Sequence, residues 1–165
     1  HIDVRDQFPR LDIVRSLSVP RPGLPNASAV EKNILEIAER FAPVTDFFLI
    51  DTLLLNADQP VAGFVGITGE TCDWSIAKAL IDRSPIPVIL AGGLAADNVY
   101  DAMTGLRPAG VDSCTRTNAT DRSGRPVRFK KDLKKVRRFI EEVRRADLFL
   151  EGVPRGAKSI DRGRI

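Results

Sequence analysis

The sequence predicts an α/β protein built from parallel strand–helix units, and three observations support this fold class. Apolar segments of strand length at 10–19, 45–52, 86–93 and 109–114 alternate with segments of helical periodicity. The units recur about every 30 residues, as parallel strand–helix–strand connections do. The strands read as nearly continuous apolar runs, which is typical of a parallel sheet covered on both faces.

The first unit combines a strand at 10–19 with a helix at about 29–41, and a proline-rich loop separates them. Ser28 is the predicted N-cap of this helix, because Glu31 stands three residues later as in a capping box. Pro43 is predicted to end the helix, since a proline disfavours helical geometry at the residue before it.

The second and third units each pair an apolar strand with an amphipathic helix. The strand at 45–52 leads into a long glycine-containing loop at 53–71, and Asp73 then caps a helix at 74–83. The strand at 86–93 ends in glycines and is followed by a helix at about 96–105.

The fourth unit contains the most regular helical pattern of the chain. After the strand at 109–114, we predict a polar turn at 118–126 and a helix at 129–146 whose apolar residues recur every three or four positions. Residues 147–165 show no periodicity and are predicted to be disordered or loosely docked. The predicted domain therefore spans residues 1–146.

The composition is typical of a globular protein, with 43% hydrophobic and 28% charged residues. No apolar run reaches the about 18 residues that a membrane helix needs, so no membrane partner is expected. Cys72 and Cys114 lack metal-ligand spacing and the chain has one His, so no metal site is predicted. The two thiols favour a reducing, cytoplasmic setting.

Positive charge is concentrated at the end of the chain. Residues 121–165 contain 15 Lys/Arg against 7 Asp/Glu, a net charge of +8, and the first 120 residues carry −5. A basic segment can bind nucleic acid. The apolar stripe of the helix at 129–146 favours instead an outer helix with a solvated basic face, so nucleic-acid binding is the minor alternative.

Polar or glycine residues end three of the strands, and in a parallel sheet these ends share one rim, where ligands bind. Gly92 and Gly93 can bring backbone N–H groups close to an anion, or they can form only a tight turn. Hydroxyl and guanidinium groups after the last strand can bind phosphate, or they can cap a turn. The residues concerned are Ser113, Thr115 and Arg116, and the carboxylate of Asp112 stands at the same strand end.

Asp51 is a single carboxylate at a strand tip. A partly desolvated rim would raise its pKa, which suits a general acid, and the alternative is a carboxylate that fixes a loop.

The order of these motifs resembles phosphoribosylanthranilate isomerases, the barrel enzymes of tryptophan biosynthesis. The resemblance rests on an Asp-Thr strand end at 51–52, a glycine-rich loop, the Asp-Trp helix start at 73–74, "PVILAGGL" at 87–94 and "PAGVDS" at 108–113. It extends over residues 10–145. It implies strands five to eight of a (βα)8 barrel, a TIM-type phosphate-binding fold of which this chain would form about half.

The resemblance also implies an activity. The family catalyses an Amadori rearrangement, an aldose–ketose isomerisation that turns a phosphoribosylamine into a ketose phosphate without metal or cofactor. Asp51 matches the general acid, and Asp112 matches an aspartate that contacts the substrate. Gly92, Gly93, Ser113 and Thr115 lie in the segments that match the phosphate-binding loops.

This chain departs from the family in several places. His1 matches a residue at the end of strand four, so the strand-one cysteine base has no counterpart, and neither Cys72 nor Cys114 replaces it. Arg116 stands at a glycine of the phosphate loop, and Ile67 and Glu70 depart from the pattern of the strand-six loop. We therefore predict that this chain alone is inactive and pairs with a missing N-terminal half or a second copy.

Three alternatives stay open from the sequence. The chain could be a non-catalytic half-barrel that binds a phosphorylated metabolite. It could be a diverged phosphosugar isomerase with another substrate. Sister barrels such as indole-glycerol-phosphate synthase share the phosphate-binding plan, although the Asp-Thr and Asp-Trp motifs fit the isomerase better.

Overall fold

The computed structural model describes residues 2–23, 25–53 and 69–152. Most of the predicted long loop at 53–71, including Ile67, lies outside the described residues, as do His1 and 153–165. None of the described helices is long and apolar enough to cross a membrane.

Four parallel strands form the central sheet, which confirms the predicted α/β fold with parallel strands. The strands pair in chain order, so each lies beside the next one along the chain. This sequential order is that of a barrel wall, whereas doubly wound sheets reverse direction partway. The strands are β1 (Val14–Pro20), β2 (Phe47–Leu53), β3 (Val88–Leu90) and β4 (Gly110–Val111).

The helices cover one face of this sheet. Helix α1 (Ile2–Gln7) precedes it; the others are α2 (Ala27–Phe41), α3 (Trp74–Arg83), α4 (Val99–Leu106) and α5 (Leu133–Glu151). Helix α2 packs against α3, α3 against α4, and α4 against α5.

The core lies between the helices and the sheet. Phe48 and Ile50 of β2 are fully buried in it together with Leu80 of α3 and Leu90 of β3. Successive side chains of a strand point to opposite faces, so Phe47, Leu49 and Asp51 belong to the other face, where they are only partly buried.

The register places the strand tips side by side. Leu17, Ile50, Leu90 and Val111 form one row across all four strands. Asp51 lies one position beyond this row, and the N–H of Asp112 donates to the carbonyl of Leu90. The two carboxylates therefore share the carboxyl edge of the sheet.

Three predicted helix starts differ from the structure, and one of them is α4, which begins at Val99 instead of about 96. Helix α2 begins after Asn26, which has a left-handed backbone and makes no side-chain capping bond, and Ser28 lies inside the helix. The predicted helix start at 129 is instead part of a strand, β6 (Pro126–Lys131), which pairs antiparallel with β5 (Asn118–Thr120). The predicted polar turn is thus a hairpin, and α5 begins after Asp132 and runs to Glu151.

Candidate active site

A small cavity lies at the carboxyl ends of β2, β3 and β4. It encloses about 130 Å³ and is open to one side. Six of the seven residues predicted for the site line it: Asp51, Gly92, Gly93, Asp112, Thr115 and Arg116. Gly69, Ala91, Leu94 and Cys114 line it as well.

Asp51 lines this cavity from β2. Burial raises the pKa of its carboxyl above the usual 3.8, the backbone N–H of Thr52 lowers it, and the negative charge of Asp112 raises it again. The N–H of Thr52 donates to Asp51 Oδ1 at 2.8 Å and orients the carboxyl group. Since the pKa is raised, a larger fraction of Asp51 is protonated near neutral pH, as a proton donor requires.

Gly92 and Gly93 form the turn after β3, and both have positive φ angles, of 90° and 60°. A Cβ atom on Gly92 would lie 2.0 Å from Oγ1 of Thr52, and one on Gly93 would lie 2.5 Å from the carbonyl carbon of Glu70. The close approach of the Thr52 side chain to Gly92, and of the 70–71 backbone to Gly93, therefore requires glycine at both positions.

The same turn carries backbone donors beside the cavity. Within the described residues, the N–H groups of Gly93 and Leu94 donate to no protein acceptor. The side chain of Asn98 braces the turn, because its Nδ2 donates to the carbonyl of Gly93 and its Oδ1 accepts from the N–H of Ala95. N–H groups at a glycine turn that have no acceptor among the described residues can bind an anion.

The loop after β4 forms the opposite wall. Asp112 is exposed and lines the cavity, and Thr115 begins a short 3-10 helix, Thr115–Thr117. Ser113 does not line the cavity, since its hydroxyl donates to the carbonyl of Leu94 at 2.6 Å. That bond ties the two loops together, so in this arrangement Ser113 supports the wall rather than facing a ligand.

Arg116 borders the mouth of the cavity. Its Nη2 lies 2.7 Å from Oδ2 of Asp97, a residue of the turn that precedes α4. Both side chains are exposed, at 41% for Arg116 and 68% for Asp97. Sequence reasoning placed Arg116 at the site and missed Asp97, because 19 residues separate the partners along the chain.

Two lysines hold the 114–118 segment through hydrogen bonds, and the sequence did not predict them. Lys131 Nζ donates to the carbonyl of Cys114 at 2.6 Å and to Oγ1 of Thr117 at 2.9 Å. Lys135 Nζ donates to the carbonyl of Asn118 at 2.9 Å. Their only sequence signal is membership of a basic run, which solvent-facing lysines share.

The two cysteines occupy different environments. Cys72 is buried, and burial raises the pKa of its thiol to about 12, so the thiol stays protonated and inert. Cys114 is partly exposed beside the cavity. Among the described residues, no group of three or more His, Cys, Asp or Glu side chains could hold a metal ion.

Comparisons with a family model and with known proteins indicate one family. The family model for N-(5'-phosphoribosyl)anthranilate (PRA) isomerase matches residues 21–142. The N-(5'-phosphoribosyl)anthranilate isomerase 1 of Methanosarcina mazei is 36% identical over 140 residues, which cover 85% of this chain and 55% of that protein. The isomerase of Methanosarcina acetivorans is 34% identical over 140 residues, and the match covers 54% of that protein.

Solved structures share the fold. The isomerase from Pyrococcus furiosus superimposes with a TM-score of 0.59 at 22% identity over 87% of this chain and 56% of its own. The Thermotoga maritima enzyme gives a TM-score of 0.59 over 87% of this chain and 57% of its own. The chain thus spans about half the length of the relatives that it matches. With the family model matching most of its length, this chain belongs to the N-(5'-phosphoribosyl)anthranilate isomerase family.

Proposed function

We propose that this chain carries the acid-catalytic and phosphate-binding half of a phosphoribosylanthranilate isomerase of tryptophan biosynthesis. The observation that carries the proposal is the position of Asp51. A partly buried carboxyl with a raised pKa faces a cavity whose other walls are the glycine turn and the loop after β4. Family membership supplies the reaction class, an aldose–ketose isomerisation, and a cytoplasmic setting fits it.

Asp51 is the proposed general acid. In an Amadori rearrangement the ring oxygen of the ribosylamine must take up a proton as its bond to C1 breaks. Protonated Asp51 donates that proton, and the partial burial that raises its pKa keeps the proton available. A base then removes the proton on C2, and the resulting enol rearranges to the ketose phosphate.

The phosphate is proposed to bind between the two loops. The N–H groups of Gly93 and Leu94, which donate to no acceptor in the part of the chain that the structure describes, support this use, and the guanidinium of Arg116 adds positive charge beside the cavity. Asp112 contacts the substrate in this arrangement, as the resemblance implies. An anchored phosphate would hold the sugar with its ring oxygen near Asp51.

The base is proposed to come from outside this chain. The family places a cysteine base on strand one, and no segment of the present sequence matches that strand. We therefore propose that this chain alone does not complete the reaction and that it acts with the other four strand–helix units, or in a pair of copies. The face of β2 with partly buried Phe47 and Leu49 supports such pairing.

A binding experiment tests the proposal directly. One solved isomerase is described as a complex with reduced 1-(o-carboxyphenylamino)-1-deoxyribulose 5-phosphate. We expect the present chain to bind this product analogue in calorimetry and ribose 5-phosphate to compete with it. Binding that ribose 5-phosphate does not weaken would contradict the phosphate site, and no binding at all would contradict the proposed function.

A further inference from the structure

We propose that Asp97 sets the phosphate affinity of this site by competing with the ligand for the guanidinium of Arg116. The inference rests on the proposed function, because it specifies how the same cavity binds the phosphate. In the free protein Asp97 holds Arg116, and in the complex the phosphate takes its place. Asp97 is then a positioning residue that acts through Arg116.

The two partners between which Arg116 would exchange, Asp97 and the phosphate, belong to the same pair of loops. Arg116 lies in the 3-10 helix after β4, and Asp97 lies in the turn between Gly93 and α4. The ion pair of 2.7 Å therefore bridges the two loops between which the phosphate would bind. Arg116 already lines the cavity, so we expect its guanidinium to pass from the carboxylate to a ligand without a change of the fold.

Arg116 is the lining side chain whose charge favours phosphate binding in this cavity. Among the described residues that line it, the other charged side chains are the carboxylates of Asp51 and Asp112. An entering phosphate is repelled by ionised carboxylates, and Arg116 is the lining side chain that offsets them. Guanidinium can bind two phosphate oxygens at once, and a dianion competes strongly with a single carboxylate.

The cost of releasing Asp97 is small. Exposed ion pairs contribute about 0–1 kcal/mol, and both partners here are exposed. Asp97 also precedes the N-terminus of α4, where a negative charge is favourable even without a cationic partner. The pair can therefore open on ligand binding while still lowering the affinity of the free protein for phosphate.

The competition predicts a specific pattern of affinities for ribose 5-phosphate, measured by calorimetry on the full 165-residue chain. Asp97→Asn keeps the side-chain shape and removes the competing charge, so binding should tighten about threefold. Arg116→Gln should weaken binding about tenfold, as the loss of a charged hydrogen-bond donor does. In the double variant, Asp97→Asn should change nothing relative to Arg116→Gln alone.

A matched control separates competition from a general effect of charge. Asp101 is an exposed acid in the first turn of the same helix, so Asp101→Asn removes one negative charge nearby and should leave the affinity unchanged. Circular dichroism of each variant checks the fold, and a titration with ribose, which lacks the phosphate, should show no response to Asp97→Asn.

The outcomes distinguish this inference from the proposed function. If the chain binds ribose 5-phosphate and Asp97→Asn leaves the affinity unchanged, the competition is overturned and the phosphate site stands. Tightening that persists in the Arg116→Gln background, or that Asp101→Asn reproduces, also overturns it. If the unmodified chain binds neither ribose 5-phosphate nor the product analogue, both proposals fail.

Discussion

Asp51 lies where burial opposes its charged form, and this has a consequence for stability. Its pKa is raised in the folded protein, so folding favours the protonated carboxyl. The stabilisation that Asp51 provides is complete below its usual pKa of 3.8 and is lost as the pH rises through the higher folded value. At neutral pH the ionised carboxylate therefore works against folding.

We predict that Asp51→Asn raises the melting temperature at neutral pH. The amide oxygen still accepts from Thr52 and carries no charge to desolvate, so the advantage should vanish as the pH falls below 3.8. Thermal melting across the pH range measures it.

Asp121→Asn is the control, because it should change the melting temperature in the opposite direction. Hydrogen bonds from Ser123 and the backbone N–H of Arg125 hold the pKa of Asp121 below 3.8, so its loss should lower the melting temperature at neutral pH. An Asp51→Asn variant that melts below the unmodified protein at neutral pH would show that the ionised carboxylate is stabilised in the fold.

Gly93 is predicted to be difficult to replace, because backbone atoms rather than a side chain lie against it. Gly93→Ala would hold alanine at a φ of 60° and press its Cβ to 2.5 Å from the Glu70 carbonyl carbon and 2.6 Å from the Thr71 nitrogen. Strain and overpacking should each lower the free energy of unfolding by about 1–3 kcal/mol. Urea denaturation measures the change.

Gly105→Ala is the matched control for this substitution. Gly105 lies inside α4, and a Cβ there would meet no atom within 4 Å. Alanine should stabilise the helix by about 0.5–1 kcal/mol relative to glycine. Equal effects of the two substitutions would mean that the backbone of residues 70–71 does not press on the glycine turn.

Capping differs sharply between the two helices for which the sequence suggested a cap. Asp73 caps α3, because its Oδ1 accepts from the N–H and the hydroxyl of Ser75 at 2.9 and 2.6 Å. Ser28 stands at an exposed position inside α2. The same sequence rule was therefore right at one helix and wrong at the other.

We predict that Asp73→Ala lowers the free energy of unfolding by about 1 kcal/mol, as loss of an N-cap commonly does. Ser28→Ala should leave stability unchanged or raise it slightly, since alanine favours helix interiors. Denaturation of both variants in urea provides the test. A larger loss from Ser28→Ala would mean that its hydroxyl does cap α2.

The hairpin and the start of α5 could not be read from local patterns. All but one of the β6 side chains are exposed, so the strand has no alternation of apolar and polar residues to recognise. Phe129 continues the apolar spacing of α5 by chance, whereas its φ of 60° and its 67% exposure place it outside the helix. The true cap is Asp132, which accepts from the N–H groups of Lys134 and Lys135.

At the scale of the whole molecule, the position of the site could be predicted, because it follows from the direction of the strands. Parallel strands bring their carboxyl ends to one edge, so Asp51, Gly92 and Asp112 could be grouped without a structure. Contacts between distant residues could not be predicted in this way. The Arg116–Asp97 pair and the bond from Ser113 to Leu94 each span 19 positions and depend on how two loops pack.

Turnover in an assembled barrel tests the central claim most directly. The chain would be combined with a polypeptide carrying the first four strand–helix units of a family member, and the conversion of phosphoribosylanthranilate would be followed for the unmodified chain and for Asp51→Asn. The account predicts activity that Asp51→Asn lowers by about 100-fold or more, through loss of the general acid. Unchanged turnover in the variant would contradict the role of Asp51, and an inactive assembly of the unmodified halves would contradict the proposed function.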